Sequence, residues 1–389
     1  MRRKIAQIST VHVRTDTRIA VKICQSLAQG LDADVALFVQ DGLGSKAAEA
    51  ACGVSIIDTG PKARGRLARA FSGAWRMYRA VRRWRPDVVQ FHDPELIWIG
   101  LLLRLSGIRV VYDVHEDVPR QILGKFYLSR PRARVISVVA SVVEAIAARL
   151  VNRVVAATPV IAARFPAHKT ITVCNYPKLS EFPSSVDTDP EKRLPHIAYV
   201  GGISEIRGGG EMIDALAKCR HPDVRLIFAG SFAPESYGDV LRARTGWDRV
   251  QFEGWADRGE VARILASVRC GIVIFQPTPN NCYGRPTKMF EYMASGLPVI
   301  ASDFPVWREI VEGAGCGLLV DPQDPAAIAE AMDWILAHPD EAAAMGERGR
   351  RAVEEIYSWS NEAQKLLDLY RDVLGVPVKE NGPAEGQLT

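Results

Sequence analysis

At 389 residues the chain is longer than one ordinary hydrophobic core can organise, so two domains are expected. Apolar residues make up 48% and charged residues 24%, a balance that excludes a disordered chain and fits a folded globular one. A net charge of +4 is too mild to point to nucleic acid.

The seven cysteines, Cys24, Cys52, Cys174, Cys219, Cys270, Cys282 and Cys316, stand as singletons. None has the paired spacing of a zinc site, and their mostly apolar flanks read as reduced thiols. Met1-Arg2-Arg3-Lys4 is basic, but the apolar run after it, Ile5 to Ile8, is too short for the core of a secretion signal. No apolar run is long enough to span a bilayer. The expected location is cytoplasmic.

In chain order, β-branched runs predict strands at Lys4–Ile8, Asp34–Val39, Gly53–Ile57, Asp87–Phe91, Arg109–Asp113, Arg153–Ala157 and Thr170–Cys174. Helical patterns fall between most of them, which reads as a parallel, doubly wound α/β sheet. A polar stretch with Pro177, Pro183, Pro190 and Pro195 follows, and the linker is placed at 179–195. The alternation then restarts with strands at His196–Val200, Val224–Ala229, Arg249–Glu253, Cys270–Ile274, Pro298–Ala301 and Gly317–Val320. This gives an N-terminal domain over 1–178 and a C-terminal domain over 196–358. A last helix is expected at Asn361–Leu374, and 376–389 reads as a disordered tail.

The stretch from Gly284 to Ile300 carries the sharpest local signal. Pro286 suits the first turn of a helix, Met289, Phe290 and Met293 supply an apolar face, and Gly296 followed by Pro298 stops it. The helix start at Gly284–Thr287 offers backbone N–H groups and a positive dipole end to a diphosphate. Lys288 and Glu291 share a face, one suited to phosphate and the other to ribose hydroxyls. The plain alternative is a capped helix with a solvated Lys–Glu pair.

A second glycine-rich turn, Gly201-Gly202 to Arg207-Gly208, follows a strand and precedes a helix. Its glycines allow close approach to a phosphate, and Arg207 adds a fixed charge. On the N-terminal side, His92 and Asp93 end one strand and His115 and Glu116 end the next. His12, Asp16 and Arg18 follow the first strand at the same edge. Strand ends are where open α/β sheets bind ligands, so these seven residues are assigned to acceptor binding and proton handling. For His115 the alternative is a structural network with Asp113 or Glu116, and for Asp16 a helix cap.

Several of these motifs together resemble the retaining GT-B glycosyltransferases of family four. The residues that carry the likeness are Thr10-Val-His12 with Asp16-Thr-Arg18, His92-Asp93-Pro94-Glu95, Val111 to Asp117, Tyr199-Val-Gly-Gly202 with Arg207-Gly208, Glu291 to Ile300, and Tyr357-Ser-Trp359. The resemblance implies two Rossmann-like domains facing each other across a cleft, with a C-terminal helix, 360–375, crossing back onto the N-terminal domain. It implies a nucleotide-sugar donor of UDP or GDP type held by Gly201, Gly202, Arg207, Gly284, Thr287, Lys288 and Glu291. It also implies a catalytic set of His115, Arg207, Lys288 and Glu291, and no cofactor or metal. Three positions depart from the family pattern. Tyr283 stands where a first glutamate is usual, and Gly202 and Arg207 stand where an arginine and a lysine are usual.

From Lys62 to Arg85 there are nine Lys or Arg residues and no acid, interleaved with Leu67, Phe71, Trp75, Tyr78 and Trp84. The segment 130–153 pairs arginines with a Val/Ala/Ile helix. Both suggest an anionic membrane surface and a glycan or lipid-linked acceptor; the alternative is ordinary surface helices. The function expected from the whole is sugar transfer to a hydroxyl acceptor in cell-surface polysaccharide or glycolipid assembly. A sugar-nucleotide epimerase and a non-catalytic relative are the alternatives.

Overall fold

The computed structural model describes residues 2–48, 52–124, 128–182 and 193–376. The chain forms two units, one of residues up to Asn175 together with those from Ser360 on, the other running from Tyr176 to Trp359. The change of unit falls slightly before the expected position. Tyr176 already packs its ring on Phe290 and Tyr357, at 4.7 and 5.3 Å between centroids, whereas Asn175 accepts a hydrogen bond from Lys22. Of the expected linker, 183–192 lie outside the described residues, as do 377–389 of the expected tail. The linker's flanks are regular: Leu179–Glu181 forms a 3-10 turn and Leu194–Val200 is a strand.

Among the described residues the N-terminal unit has seven strands: β1 (Arg3–Ile8), β2 (Ala33–Val39), β3 (Val54–Asp58), β4 (Val88–Phe91), β5 (Arg109–Val114), β6 (Arg153–Ala156) and β7 (Thr170–Thr172). All pair in parallel in the order β3-β2-β1-β4-β5-β6-β7. The chain steps outward from β1 to β3, then returns to lay β4 on the other side of β1. The carboxyl ends of β1 and β4 therefore flank the switch point, where the connecting loops diverge and leave a crevice.

The C-terminal unit repeats this logic. Its strands are β8 (Leu194–Val200), β9 (Leu226–Ala229), β10 (Val250–Gly254), β11 (Val268–Val273), β12 (Val299–Ser302) and β13 (Gly317–Val320). Their order is β10-β9-β8-β11-β12-β13, so the switch point lies at the carboxyl ends of β8 and β11. Continuous apolar runs form these strands because helices cover both faces. Ile197, Tyr199, Phe228, Ile272 and Ile300 are all fully covered.

The Trp359–Leu374 helix belongs, from Ser360 on, to the N-terminal unit. It buries Leu366, Leu369, Tyr370 and Val373. The Tyr370 hydroxyl donates to Gln90 Oε1 at 2.7 Å and accepts from Gln7 Nε2 at 2.7 Å, on β4 and β1. A Tyr370→Phe variant leaves two buried amides short of a partner. The expected loss is about 1–3 kcal/mol in urea unfolding; an unchanged midpoint would show that the helix is not held there.

Candidate functional site

The residues expected to hold a donor converge at the switch point of the C-terminal unit. Tyr199 and Val200 end β8, and the chain turns at Gly201, with φ +109°. Gly201 and Gly202 are small for a specific reason. A Cβ on Gly202 would lie 2.7 Å from Arg207 Nη1, and one on Gly201 would lie 3.3 Å from Lys288 Nζ. The two cations thus occupy the space above the turn. Arg207 Nη1 donates to the Gly202 carbonyl at 3.1 Å, and the Tyr199 hydroxyl donates to the same oxygen at 2.8 Å. The Arg207 guanidinium thus stands over Gly202, where an arginine was expected from the resemblance.

Lys288 is buried on the Thr287–Ala294 helix. Its ammonium lies over the rings of Tyr199 and Phe275, at 4.9 and 5.1 Å. Burial, with the positive charge of Arg207 added, pushes its pKa down to about 7, against the opposing pull of Glu291. Pro286 is the N-cap of this helix rather than part of its first turn: its ψ of 126° is extended. Thr287 is the first helical residue, and the carbonyl of Gly284 accepts from Trp307 Nε1 at 2.8 Å, which fixes the loop before the helix. Glu291 is held by a residue that the sequence did not single out. Arg258 Nη1 donates to Glu291 Oε1 at 2.7 Å, and its other nitrogen reaches Glu181. Tyr283 is 45% exposed.

The helix start is locked from below. Tyr292 accepts from the Val200 N–H at 3.0 Å, and its ring presses on Gly271, where a Cβ would meet it at 2.3 Å. Gly208, at φ +70°, brings the next helix start against Ile274, leaving no room for a side chain.

In the N-terminal unit the predicted residues also gather at the switch point, but they divide into two layers. Asp113 on β5 is the hub of the inner layer. Arg18 donates to both of its carboxylate oxygens, at 2.7 and 3.1 Å, and to the Val173 carbonyl at 3.0 Å. His92 Nδ1 lies 2.8 Å from Asp113 Oδ2 and its Nε2 2.9 Å from Gln7 Oε1. Arg18, His92 and Asp113 are buried, so the acceptor-binding role expected of Arg18 and His92 is replaced by support from behind. Burial holds His92 below its usual pKa despite Asp113, and the paired cation holds Asp113 well below the usual carboxylate range despite its burial. Asp93 is also turned inward. Its Oδ2 accepts from Ser9 Oγ and from the Thr10 N–H at 2.9 and 2.7 Å, which shapes the loop after β1.

The outer layer is His12, Asp16, His115 and Glu116. His12 Nδ1 lies 3.0 Å from Asp16 Oδ2, and its Nε2 lies 3.0 Å from His115 Nε2. One of the two imidazoles must donate in that contact, so the pair shares a proton. Burial opposes the charge on His12, and contact with Asp16 and Asp93 overrides it, raising its pKa. Asp16 also caps the following helix by accepting from the Ile19 N–H at 2.8 Å. Burial acts against its charge, but the His12 and Ile19 contacts bring its pKa down to about 2. Glu116 is exposed beside this pair.

His92, Asp113 and His115 place ligand atoms within 4.8 Å of one another, a cluster that no sequence spacing announced. The set does not fit a resident cation, because the Arg18 guanidinium already sits on Asp113 and supplies the positive charge.

Two family profiles match consecutive parts of the chain: "Glycosyltransferase Family 4" over residues 17–174 and "Glycosyl transferases group 1" over residues 180–352. The chain belongs to glycosyltransferase family four. Among its relatives, a D-inositol 3-phosphate glycosyltransferase of Corynebacterium urealyticum is 31% identical over 201 residues, 49% of this chain. That match spans 45% of the relative, less than half its length. A phosphatidyl-myo-inositol mannosyltransferase of Mycobacterium tuberculosis is 25% identical over 320 residues, covering 78% of this chain and 79% of its own. The GT-B fold of the family is matched by a sucrose-phosphate synthase from Thermosynechococcus elongatus, with TM-score 0.79, 21% identity, and 96% and 100% of the two chains covered. It is matched also by Anabaena HepE, solved with UDP and glucose, with TM-score 0.71, 17% identity, and 95% and 100% covered.

Removing the charge of Asp113 tests the inner layer of this family-four site. An Asp113→Asn variant leaves Arg18 buried against a neutral amide, which is expected to cost about 3–5 kcal/mol in urea unfolding. A cost near zero would mean that the hub is not what holds His92 and His115.

Proposed function

We propose that the protein transfers a hexose-type sugar, with retention of anomeric configuration, from a nucleoside diphosphate sugar of UDP or GDP type to a hydroxyl acceptor. The observation that carries this reading is the pair of cations, Arg207 and Lys288, over the Gly201–Gly202 turn. Neither forms an ion pair with a carboxylate among the described residues, and two positive groups beside a helix start suit a diphosphate. Glu291, steered by Arg258 through one oxygen, offers the other to a ribose hydroxyl.

In the reaction the bond between the anomeric carbon and the phosphate oxygen breaks, and a bond to the acceptor oxygen forms on the same face. The acceptor proton passes to the departing phosphate oxygen. Arg207 and Lys288 neutralise the charge that builds on that oxygen, and no protein nucleophile is required. The His12–His115 pair, with Glu116 beside it, offers both donor and acceptor atoms to an incoming hydroxyl. No cofactor or metal enters these steps. The names of the relatives support an acceptor of polyol or glycolipid type and a place in surface polysaccharide or glycolipid assembly.

The test is a thermal-shift panel of UDP, GDP, ADP and their sugars. At least one is expected to stabilise the wild type, with Glu291→Ala folded but bound about tenfold or more weakly. Stabilisation by none at millimolar levels, or unchanged affinity in Glu291→Ala, would overturn the assignment. An epimerase would convert the bound nucleotide sugar without an acceptor, and product analysis separates the two.

A further inference from the structure

The helices that carry the chain from β3 to β4, β4 to β5 and β5 to β6 all cross in one direction, so right-handed connections place them on one face of the sheet. They are the helical segment 66–84, Ile97–Leu105 and Arg130–Leu150, and each touches the next. Their undersides share one core cluster with Met77, Val81, Ile99, Leu103 and Ala147.

The outer side of this layer has an unusual composition. The three segments contain eleven arginines and one carboxylate, Glu144, which is buried against Arg164 and Tyr112. The Arg130–Leu150 helix is inverted relative to an ordinary surface helix. Its buried face is Ala133, Ser137, Glu144, Ala147 and Ala148, while Val135, Val138, Val139, Val142 and Ile146 are 50–62% exposed. A helix faces solvent in this way when something apolar covers it. On the neighbouring segment Leu67, Phe71 and Trp75 are 76%, 64% and 46% exposed. Trp75 stacks parallel to Trp98 at 6.3 Å, which joins this aromatic group to the middle helix.

We infer that this three-helix face docks on an anionic lipid bilayer. Aliphatic and aromatic side chains would enter the interface while arginines at Arg79, Arg82, Arg130, Arg132 and Arg134 meet lipid phosphates. No helix among the described residues is long and apolar enough to cross a membrane, so the contact is with its surface. Arg69 is already paired with Glu95, but a protein partner that matched the other arginines would still need a strongly acidic face, and such a face would not cover the bare aliphatic stripe.

The direction of the helix adds a functional consequence. Ser137 Oγ donates to the Pro119 carbonyl at 2.9 Å, in the short helix that directly follows His115 and Glu116. The arginine-bearing end of the Arg130–Leu150 helix therefore lies at the carboxyl edge of the sheet, the edge that also carries the His12–His115 pair. A bilayer on this face presents lipid headgroups to that pair, which makes a lipid-anchored acceptor the fitting class. The docking surface stands on the helices alone; the acceptor class rests on the glycosyl-transfer reading.

The test is flotation of the full chain with phosphatidylcholine vesicles, with and without phosphatidylglycerol, at low salt. Wild type is expected to float with the anionic vesicles and about tenfold less with neutral ones. Val138→Asp/Val142→Asp, at exposed positions, is expected to lose flotation about tenfold while keeping its nucleotide-induced thermal shift. Absence of flotation by the wild type, or equal flotation by the double variant, would overturn the inference. So would a dimer in sedimentation that the same double variant dissolves, because a second copy would then cover the stripe. A missing nucleotide shift in the wild type would instead strike the glycosyl-transfer reading and leave the flotation result standing.

Discussion

A lysine ammonium placed under cover beside a guanidinium, with no carboxylate in ion-pair contact among the described residues, is costly, and the C-terminal unit is arranged around that cost. Lys288 is pushed down to about 7 because burial and Arg207 both disfavour its charge. A protein that needed only stability would have put an aliphatic residue there. The rings of Tyr199 and Phe275 give the ammonium partial compensation, and a diphosphate would give the rest. Gly201 and Gly208 then follow from their positive φ, and Gly208 also from the Ile274 carbonyl that leaves no room for a side chain.

The N-terminal unit solves a different problem with the same sheet topology. The charges at its switch point are matched internally: Asp113 receives Arg18 and His92 in a buried network, and Asp93 is spent on the loop after β1. What this leaves toward solvent is a hydrogen-bonding surface of His12, Asp16, His115 and Glu116. Such a surface, with donors and acceptors side by side, suits the hydroxyl acceptor of the proposed reaction. The outer helices add one face bearing the basic and apolar residues that fit lipid.

The positions of the strands were legible in the sequence because each strand is a short β-branched run bounded by polar turns. The thirteen predicted strands differ from the described ones by only a residue or two at most ends. Lys288, Glu291 and Arg207 were legible because each stands in a motif next to glycine or a helix start. The division of the N-terminal residues into two layers was not. Arg18 and Asp113 are 95 positions apart and Gln7 and Tyr370 are 363 apart, and no local pattern shows that such partners will meet. Arg258 was missed for the same reason, because its partner Glu291 is 33 residues away. One signal was available: Asp113 is a charged residue inside an otherwise apolar strand, and such a residue has to find a buried partner.

The arrangement of Lys288 makes the proposed diphosphate site in the C-terminal unit directly measurable. At about pH 8 a lysine with a pKa near 7 is mostly neutral, and an adjoining diphosphate restores its charge. Titration calorimetry of the nucleotide sugar, in buffers of different ionisation enthalpy at that pH, reads the proton directly, and the sugar-linked diphosphate itself does not titrate there. The result expected is uptake approaching about one proton per ligand, with affinity falling as pH rises above 7 and the uptake lost in Lys288→Met. Binding with no proton uptake in the wild type would contradict the placement of the diphosphate at Lys288 and Arg207.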